Sequence, residues 1–566
     1  MILNTLIFVL SYLLIFLSCL GFGLLLLKFI KINFDLVNLG IVGILGIFFL
    51  TFFSYLTNFL ISHNYFHNFF LHSIGLSYFF YSFLNNKINK NSFFLIFLLL
   101  VLLISGLFLS KNNEDFPYYH LAFTLNLVES NVVIGLGNFN SGYRTPSSLF
   151  YFHSLLYLPY IKYYLFHSSG ILILTFANYF LLEKIFIFKL DRRINFIQIL
   201  SLLIFIFLNL AFARIAEYGT DRAGQIIAFL LIILFLEQIN RRIINLNILK
   251  IITILILYII TIKSYFIVYS FLFFIIIYNY KEYKFFQLIK NELATLIISC
   301  IFIISYLISN ILNNGCLLYP LPFSCLSNLL WSVSIHDVIE TNIWYEFWAK
   351  AGATPNYILP DRENYIKYLN WFPNWVNNYF FTKGSDFVAI IFLIISIIFI
   401  IFFIFKKKIN KNLNVLKYKS LYYLLVVFFI IWFLKHPDLR YGGYVIVSLL
   451  FFIPISIYLS NFNIKNDQKN LICKYILVFV LVIFNFKNIM RINSEFKRVD
   501  KYQYKNFPFF YVEKVDFLTK NFKNNFLFYI PKNNNCWATP FPCIENYNNM
   551  DMKKIGIFKV FFNKKK

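Results

Sequence analysis

Ser92-Phe-Phe-Leu-Ile-Phe-Leu-Leu-Leu-Val-Leu-Leu-Ile-Ser-Gly-Leu-Phe-Leu-Ser110 runs into Lys111-Asn-Asn-Glu-Asp-Phe-Pro-Tyr-Tyr-His120. The first stretch carries no charge and falls within the ~17–25 residues that a helix needs to cross the hydrocarbon core of a bilayer. The second stretch therefore sets two adjacent carboxylates, Glu114 and Asp115, at a membrane surface. The chain has only 25 acidic residues in 566, so this pairing stands out.

Working outward, similar runs lie near Ile2–Leu27, Leu36–Leu60, Phe66–Leu84, Ser168–Phe188, Asn195–Ala213, Ala223–Gln238, Asn247–Ile262, Ser264–Tyr280, Asn291–Leu312, Asp386–Phe405, Ser420–Leu434, Tyr441–Ser460 and Leu471–Phe486. By the spanning-length criterion these predict about fourteen transmembrane helices in an all-α polytopic membrane protein. Composition agrees, with 60% hydrophobic and 13% charged residues and a mean hydropathy of +0.70. Period-2 alternation is absent, and lipid leaves helices as the remaining way to satisfy the backbone. The run from Met1 to Leu27 lacks a basic leader and a small-residue cleavage site, so it reads as a retained span.

The net charge of +26 does not point to nucleic acid, because the basic residues sit in short clusters between apolar runs. Lys28/Lys31, Lys87/Lys90, Lys189/Arg192/Arg193, Arg241/Arg242, Lys281/Lys284, Lys406/Lys407/Lys408/Lys411 and Lys465/Lys469 fall on one side if Pro146–Phe166 is an interfacial helix. Thr145 would cap that helix, with Pro146 at its first position. The basic side is then the cytoplasm, and both termini are extracytoplasmic. The predicted division is a transmembrane domain, 1–487, and a small extracytoplasmic C-terminal region, 488–566. The domain includes an acidic outer loop, 111–167, and a large outer loop, 313–385.

Cys316 and Cys325 flank a short Pro-containing segment in the outer loop, and Cys536 and Cys543 flank another in the tail. Both pairs fall on the side where disulfides persist, which predicts the bridges Cys316–Cys325 and Cys536–Cys543. Cys19, Cys300 and Cys473 lie in spans and read as packing residues.

Four groups carry candidate chemistry. Asp115, at the foot of a helix, suits a base acting on a hydroxyl, with Glu114 beside it. Glu217 and Asp221 form a second acidic turn on the same face. Lys435, His436 and Arg440 converge at a helix entrance, where a guanidinium clamps phosphate through two hydrogen bonds. Lys263 lies between two apolar runs, and such a residue usually has a partner. No phosphate-binding Gly-rich loop, nucleophile elbow or HExxH helix is present. His153 and His167 read as packing or interfacial residues.

The stretches Asp115-Phe-Pro-Tyr-Tyr-His120, Glu217-Tyr-Gly-Thr-Asp221 and His436-Pro-Asp-Leu-Arg440 make the layout resemble GT-C glycosyltransferases, which use polyprenyl-phosphate sugars. More closely, the chain resembles a group of uncharacterised bacterial polytopic membrane proteins. Gly135-Leu-Gly-Asn-Phe-Asn140 with Arg144, Thr261-Ile-Lys263, Gly315–Pro320, Trp344–Trp348, Trp371–Trp375 and Cys536–Cys543 carry that likeness. About four spans precede the acidic loop, where GT-C enzymes usually have one. The resemblance implies sugar transfer to a glycan or lipid acceptor of the cell envelope, on the outer face of a bacterial cytoplasmic membrane. It makes Asp115 the base, Arg440, Lys435 and Lys263 the donor-phosphate ligands, and His120 and Arg144 further site candidates. It leaves open a divalent cation, Mg or Mn, on Asp115 and Asp221, and sugar stacking on Trp344, Trp348, Trp371 and Trp375. The rival readings are a transporter or flippase of lipid-linked glycan and a non-catalytic scaffold for envelope assembly. A transporter binds at mid-membrane through broken helices and repeats, whereas here no clear repeat is present and the charged motifs sit at one surface.

Overall fold

The computed structural model describes the chain apart from residues 35–36, 109–111, 187–193, 219, 242, 281–291, 354–360, 406–407, 410–417, 465, 498–505, 523–525, 534, 545–549, 557 and 564–566. Of the basic clusters, Lys189, Arg192, Arg193, Arg242, Lys281, Lys284, Lys406, Lys407, Lys411 and Lys465 lie outside the described residues.

Every apolar run named above is helical over most of its described length. Helices α1 (Ile2–Phe29), α2 (Leu39–Asn58), α3 (Tyr65–Leu84) and α4 (Lys90–Leu102) precede the acidic segment. That segment contributes α5 (Leu121–Glu129) and α6 (Ser148–Leu155). Next come α7 (Ser168–Phe186), α8 (Ile194–Ala211), α9 (Asp221–Asn240), α10 (Leu246–Ile262), α11 (Leu272–Asn279) and α12 (Leu293–Asn314). The next segment holds α13 (Ile335–Lys350), α14 (Arg362–Ile366) and α15 (Phe372–Trp375). The last helices are α16 (Ser385–Ile404), α17 (Lys419–Lys435), α18 (Gly443–Ser460) and α19 (Asn466–Phe496). Among the described residues, eight helices are long and apolar enough to cross a membrane: Ile2–Phe29, Leu39–Asn58, Ser168–Phe186, Asp221–Asn240, Leu293–Asn314, Phe372–Ile404, Gly443–Ser460 and Gln468–Phe496. The protein is a multi-pass helical membrane protein.

Small residues let the first helices touch backbone to backbone. A Cβ on Gly46 of α2 would lie 1.7 Å from the Cys19 carbonyl oxygen of α1. One on Gly21 would lie 1.8 Å from the Gly75 carbonyl oxygen of α3. Such packing replaces the hydrophobic effect where the solvent is itself apolar. Amide pairing serves the same end between α7 and α8, where Asn178 and Asn209 exchange two hydrogen bonds of 2.9 Å.

Three expectations need correction. The run Ser92–Ser110 is not one helix: α4 ends at Leu102 and a 3-10 turn, Ile104–Leu107, follows. Ser105 there bonds the Asn485 side chain at 2.8 Å, so tertiary contact replaces helix continuation. Pro146–Phe166 is not a helix on the surface either. Ser147, rather than Thr145, caps α6 through the Leu149 amide, and every residue of α6 is buried. The Tyr151 carbonyl, which accepts from Ser54 of α2 at 2.7 Å, shows why this segment is drawn inward. Finally, α19 continues past Phe486 to Phe496, held by Asn488 bonding the Ala213 carbonyl at 3.1 Å.

Strands pair antiparallel as β1 (Lys408–Ile409) with β2 (Phe462–Asn463), β3 (Phe517–Phe522) with β4 (Phe526–Pro531), and β5 (Met550–Ile555) with β6 (Phe558–Asn563). The C-terminal hairpins dock on the acidic segment. Phe561 donates its amide to the Ile134 carbonyl at 2.9 Å, and the Ile134 amide bonds Lys559 at 3.2 Å. Gly135 beside it has φ +81°, and a Cβ there would lie 1.9 Å from the Phe561 oxygen, so only glycine fits. Both cysteine pairs are bonded, with sulfurs 2.06 Å apart in Cys316–Cys325 and 2.05 Å apart in Cys536–Cys543.

Candidate functional site

Asp115, Asp221, Lys263 and Arg440 meet at one place, and each stands at the end of an element. Asp115 precedes the π-helical turn Phe116–His120 that leads into α5, its amide bonded to Asn113 at 2.9 Å. Asp221 lies in the first turn of α9, and Lys263 follows the last turn of α10. A carboxylate at a helix N-terminus and an ammonium at a C-terminus both match the helix dipole. Arg440 sits in the short turn Leu439–Tyr441 ahead of α18.

Arg440 links the two carboxylates: Nη2 donates to Asp115 Oδ2 at 2.9 Å and Nε to Asp221 Oδ2 at 2.6 Å. Asp221 uses its other oxygen on the Lys263 ammonium, which also stands 4.7 Å over the Tyr441 ring. Exposure differs across the cluster: the Asp221 side chain is 10% exposed, Asp115 31% and Arg440 41%. Asp221 is thus an inner clamp on two cations, whereas Asp115 and Arg440 face outward.

The turn that carries Arg440 is held from several elements. Asp438 Oδ1 accepts from the Arg440 amide at 2.9 Å and from the Tyr379 hydroxyl at 2.8 Å. Trp375 Nε1 donates to the Pro437 carbonyl at 2.7 Å and Trp432 Nε1 to the Asp438 carbonyl at 2.9 Å. Gln225, on the same helix as Asp221, donates to the Leu439 and Arg440 carbonyls at 3.2 Å. The backbone that carries Arg440 is therefore fixed from several neighbouring elements.

His120 borders the cluster, its ring packed on Tyr119 and Phe150. Burial pushes its imidazole down to about 4, against the opposing pull of the Asp115 and Asp221 carboxylates, so it is neutral at pH 7. It also lines a small cavity with Phe116, Thr124, His153, Phe166 and His167. Burial pushes His167 down to about 3 and holds His153 well below the usual range. His153 bonds the Ser169 hydroxyl at 2.7 Å, and the buried Nε2 of His167 has no hydrogen-bond partner among the described residues.

The other candidates lie elsewhere or apart. Glu114 is exposed beside Asp115. Glu217 is bonded to Arg491 of α19 at 2.9 Å, with both side chains buried, so the second acidic turn splits between two partners. Lys435 is exposed and pairs with Glu346 at 3.3 Å, which also holds Lys350 at 2.6 Å. Arg144 binds the Gly137 carbonyl at 3.1 Å and Asp337 at 3.5 Å, tying the acidic loop to α13. Trp371 and Trp375 are buried packing residues, which leaves no free face for a sugar. Trp344 carries the Arg362 guanidinium 4.8 Å over its ring, and Trp348 is half-buried.

Among the described residues, no group of three or more His, Cys, Asp or Glu side chains is placed to hold a metal ion. Asp115 and Asp221 meet only through Arg440, and their inward oxygens are engaged by cations. This donor set does not fit a divalent ion.

The sequence did not single out Arg491, Trp537 or the Asp438–Tyr379 pair. Trp537, inside the Cys536–Cys543 loop, donates its amide to the Pro117 carbonyl at 2.8 Å, beside Asp115. A Pro-Asp-x-Arg turn does carry one readable signal, since Asp favours turns that bond a backbone amide two residues on. No curated protein and no solved structure matches the chain. A family model matches residues 5–447, a span that takes in Asp115, Asp221, Lys263 and Arg440 and ends before Arg491 and Trp537. The chain belongs to the family described as Domain of unknown function (DUF8201).

Proposed function

We propose that the protein transfers a sugar from a polyprenyl-phosphate donor to a hydroxyl of a cell-envelope glycan or lipid, as GT-C enzymes do. The observation that carries this reading is the convergence of Asp115, Asp221, Lys263 and Arg440 from four separate segments. In this reading about fourteen helices cross a bacterial cytoplasmic membrane, both termini are extracytoplasmic, and the site opens on the outer face.

The chemistry follows from the exposure gradient. Arg440 is the outward cation, and a donor phosphate that takes its Nη groups displaces Asp115. Asp221 keeps Nε and Lys263 in place, so the guanidinium stays aimed. Asp115, freed from its partner once the donor is bound, is left facing the acceptor hydroxyl with an unpaired carboxylate oxygen. It accepts the proton of the acceptor hydroxyl, whose oxygen forms the new bond to the anomeric carbon. The bond from that carbon to the phosphate oxygen breaks, and polyprenyl phosphate leaves with the electron pair, held by Arg440 and Lys263.

The test is turnover and donor binding by purified protein in lipid, across a panel of polyprenyl-phosphate sugars. Asp115→Asn should lower transfer by ~10²–10⁴-fold while donor binding holds or tightens. Arg440→Lys should weaken donor binding, because a point charge replaces a planar fork. Undiminished transfer by Asp115→Asn removes Asp115 from the mechanism. A panel in which no polyprenyl-phosphate compound binds removes the donor class.

A further inference from the structure

A groove runs along the outside of α1 and α3, walled by Leu25 of α1 and by Phe70, Ile74, Ser77, Tyr78 and Tyr81 of α3. It exists because Gly21 and Gly75 bring the two backbones into contact, so the larger side chains around them stand up as walls. From Phe70 to Tyr81 the helix rises ~16 Å at ~1.5 Å per residue. That is about half of the ~30 Å hydrocarbon core, the depth of one leaflet. Ser73 turns its hydroxyl onto the Phe69 carbonyl at 2.7 Å, leaving the floor apolar.

One end of the groove is basic. The Lys28 ammonium lies 6.0 Å from the Tyr78 ring centre, and Lys87 lies 5.0 Å from that of Tyr81 and 5.8 Å from that of Phe34. Both lysines are exposed. Residues 1–90 contain Lys28, Lys31, Lys87 and Lys90 against a single acid, Asp35. An apolar trough ending in cations that form no ion pair among the described residues selects an occupant with a hydrocarbon chain and an anionic head. A soluble anion gains nothing from the trough, and a zwitterionic lipid gains little from the lysines.

We propose that this groove binds one anionic glycerophospholipid, with an acyl chain between Leu25, Phe70 and Ile74 and its phosphate between Lys28 and Lys87. Basic pockets between membrane helices hold lipid headgroups in this way. The site is separate from the Asp115–Arg440 cluster and does not depend on the sugar-transfer reading.

Native mass spectrometry of the full-length protein, exchanged against phosphatidylglycerol or phosphatidylcholine with identical chains, tests it. The expected result is one phosphatidylglycerol retained over phosphatidylcholine. Lys28→Gln and Lys87→Gln should each lower that retention roughly fivefold and leave phosphatidylcholine unchanged. Ile74→Trp, which fills the trough, should lower retention of phosphatidylglycerol with both lysines intact. Lys553→Gln/Lys554→Gln, on exposed β5, is the charge-matched control and should change nothing. Equal retention of the two lipids, or full retention in the lysine variants, overturns the proposal in favour of ordinary boundary lipid. Competition by free glycerol phosphate at the same concentration as the lipid also overturns it, since the trough would then contribute nothing.

Discussion

At the scale of residues, Asp221 and Asp115 look alike in sequence and differ in position. Asp221→Asn strands Lys263 and half of Arg440, so it should cost ~2–3 kcal/mol, below the range for fully buried pairs because Arg440 is part-exposed. Asp115→Asn should cost under ~1 kcal/mol, as for an exposed pair. Thermal unfolding in detergent separates them, and equal losses contradict the inner-clamp assignment. His120 gives a pH prediction. The unfolded chain takes up this proton from about pH 6.5 downward, while the folded chain refuses it until about pH 4. Its stabilising contribution is therefore complete above pH 6.5 and is lost as pH falls towards 4, amounting to up to ~3 kcal/mol. The midpoint of unfolding should drop over that window, and His120→Phe should flatten the drop; superposable curves defeat the assignment. The charged members of the site were legible individually, because an ionisable group beside an apolar run is costly and needs a reason. Their pairing was not, since Arg440 finds its partners 219 and 325 residues away. Glu217 reads with Asp221 because the two share one short turn, and nothing in that turn points to Arg491, which lies beyond the expected end of the last span at Phe486.

Among elements, the apolar runs located the helices because lipid allows little else. Ends were harder to read, since they are decided by partners. Ser105 stops α4 by bonding Asn485, and Ser147 starts α6 where Thr145 and Pro146 offered a cap two residues too early. The burial of α6 was illegible for the same reason: an apolar segment reads alike against lipid and against α2. Close helix contacts leave a clearer trace in glycine. Gly46→Leu should part α1 from α2, because its Cβ would meet the Cys19 backbone at 1.7 Å. Gly170→Ala comes no closer than 3.1 Å to the Ile215 side chain and 3.4 Å to its carbonyl oxygen, and should cost little. The expected outcome is loss of the monodisperse peak in detergent for the first and retention for the second. Two intact peaks contradict the backbone contact.

Across the whole molecule, the C-terminal hairpins and α19 brace the acidic segments from beyond the matched family region. The cysteine pairing was legible from compartment alone, but the docking of the tail was not, because short β hairpins carry no pattern naming their partner. Cys543→Ser should loosen the loop around Trp537 by the ~2–3 kcal/mol of a short closure. Protease cleavage within residues 532–545 should then quicken while the membrane helices stay intact; unchanged cleavage removes the bridge as a brace. Arg491→Met leaves the buried Glu217 to the more distant, exposed Arg214 at 3.9 Å and should cost ~3 kcal/mol, read from the same unfolding scans. Glu217 waits for a partner that is synthesised 274 residues later, and Pro117 waits for one later still. A nascent copy thus carries Asp115 and Asp221 before Arg440 exists to join them, and the contacts at Glu217 and Pro117 close later again.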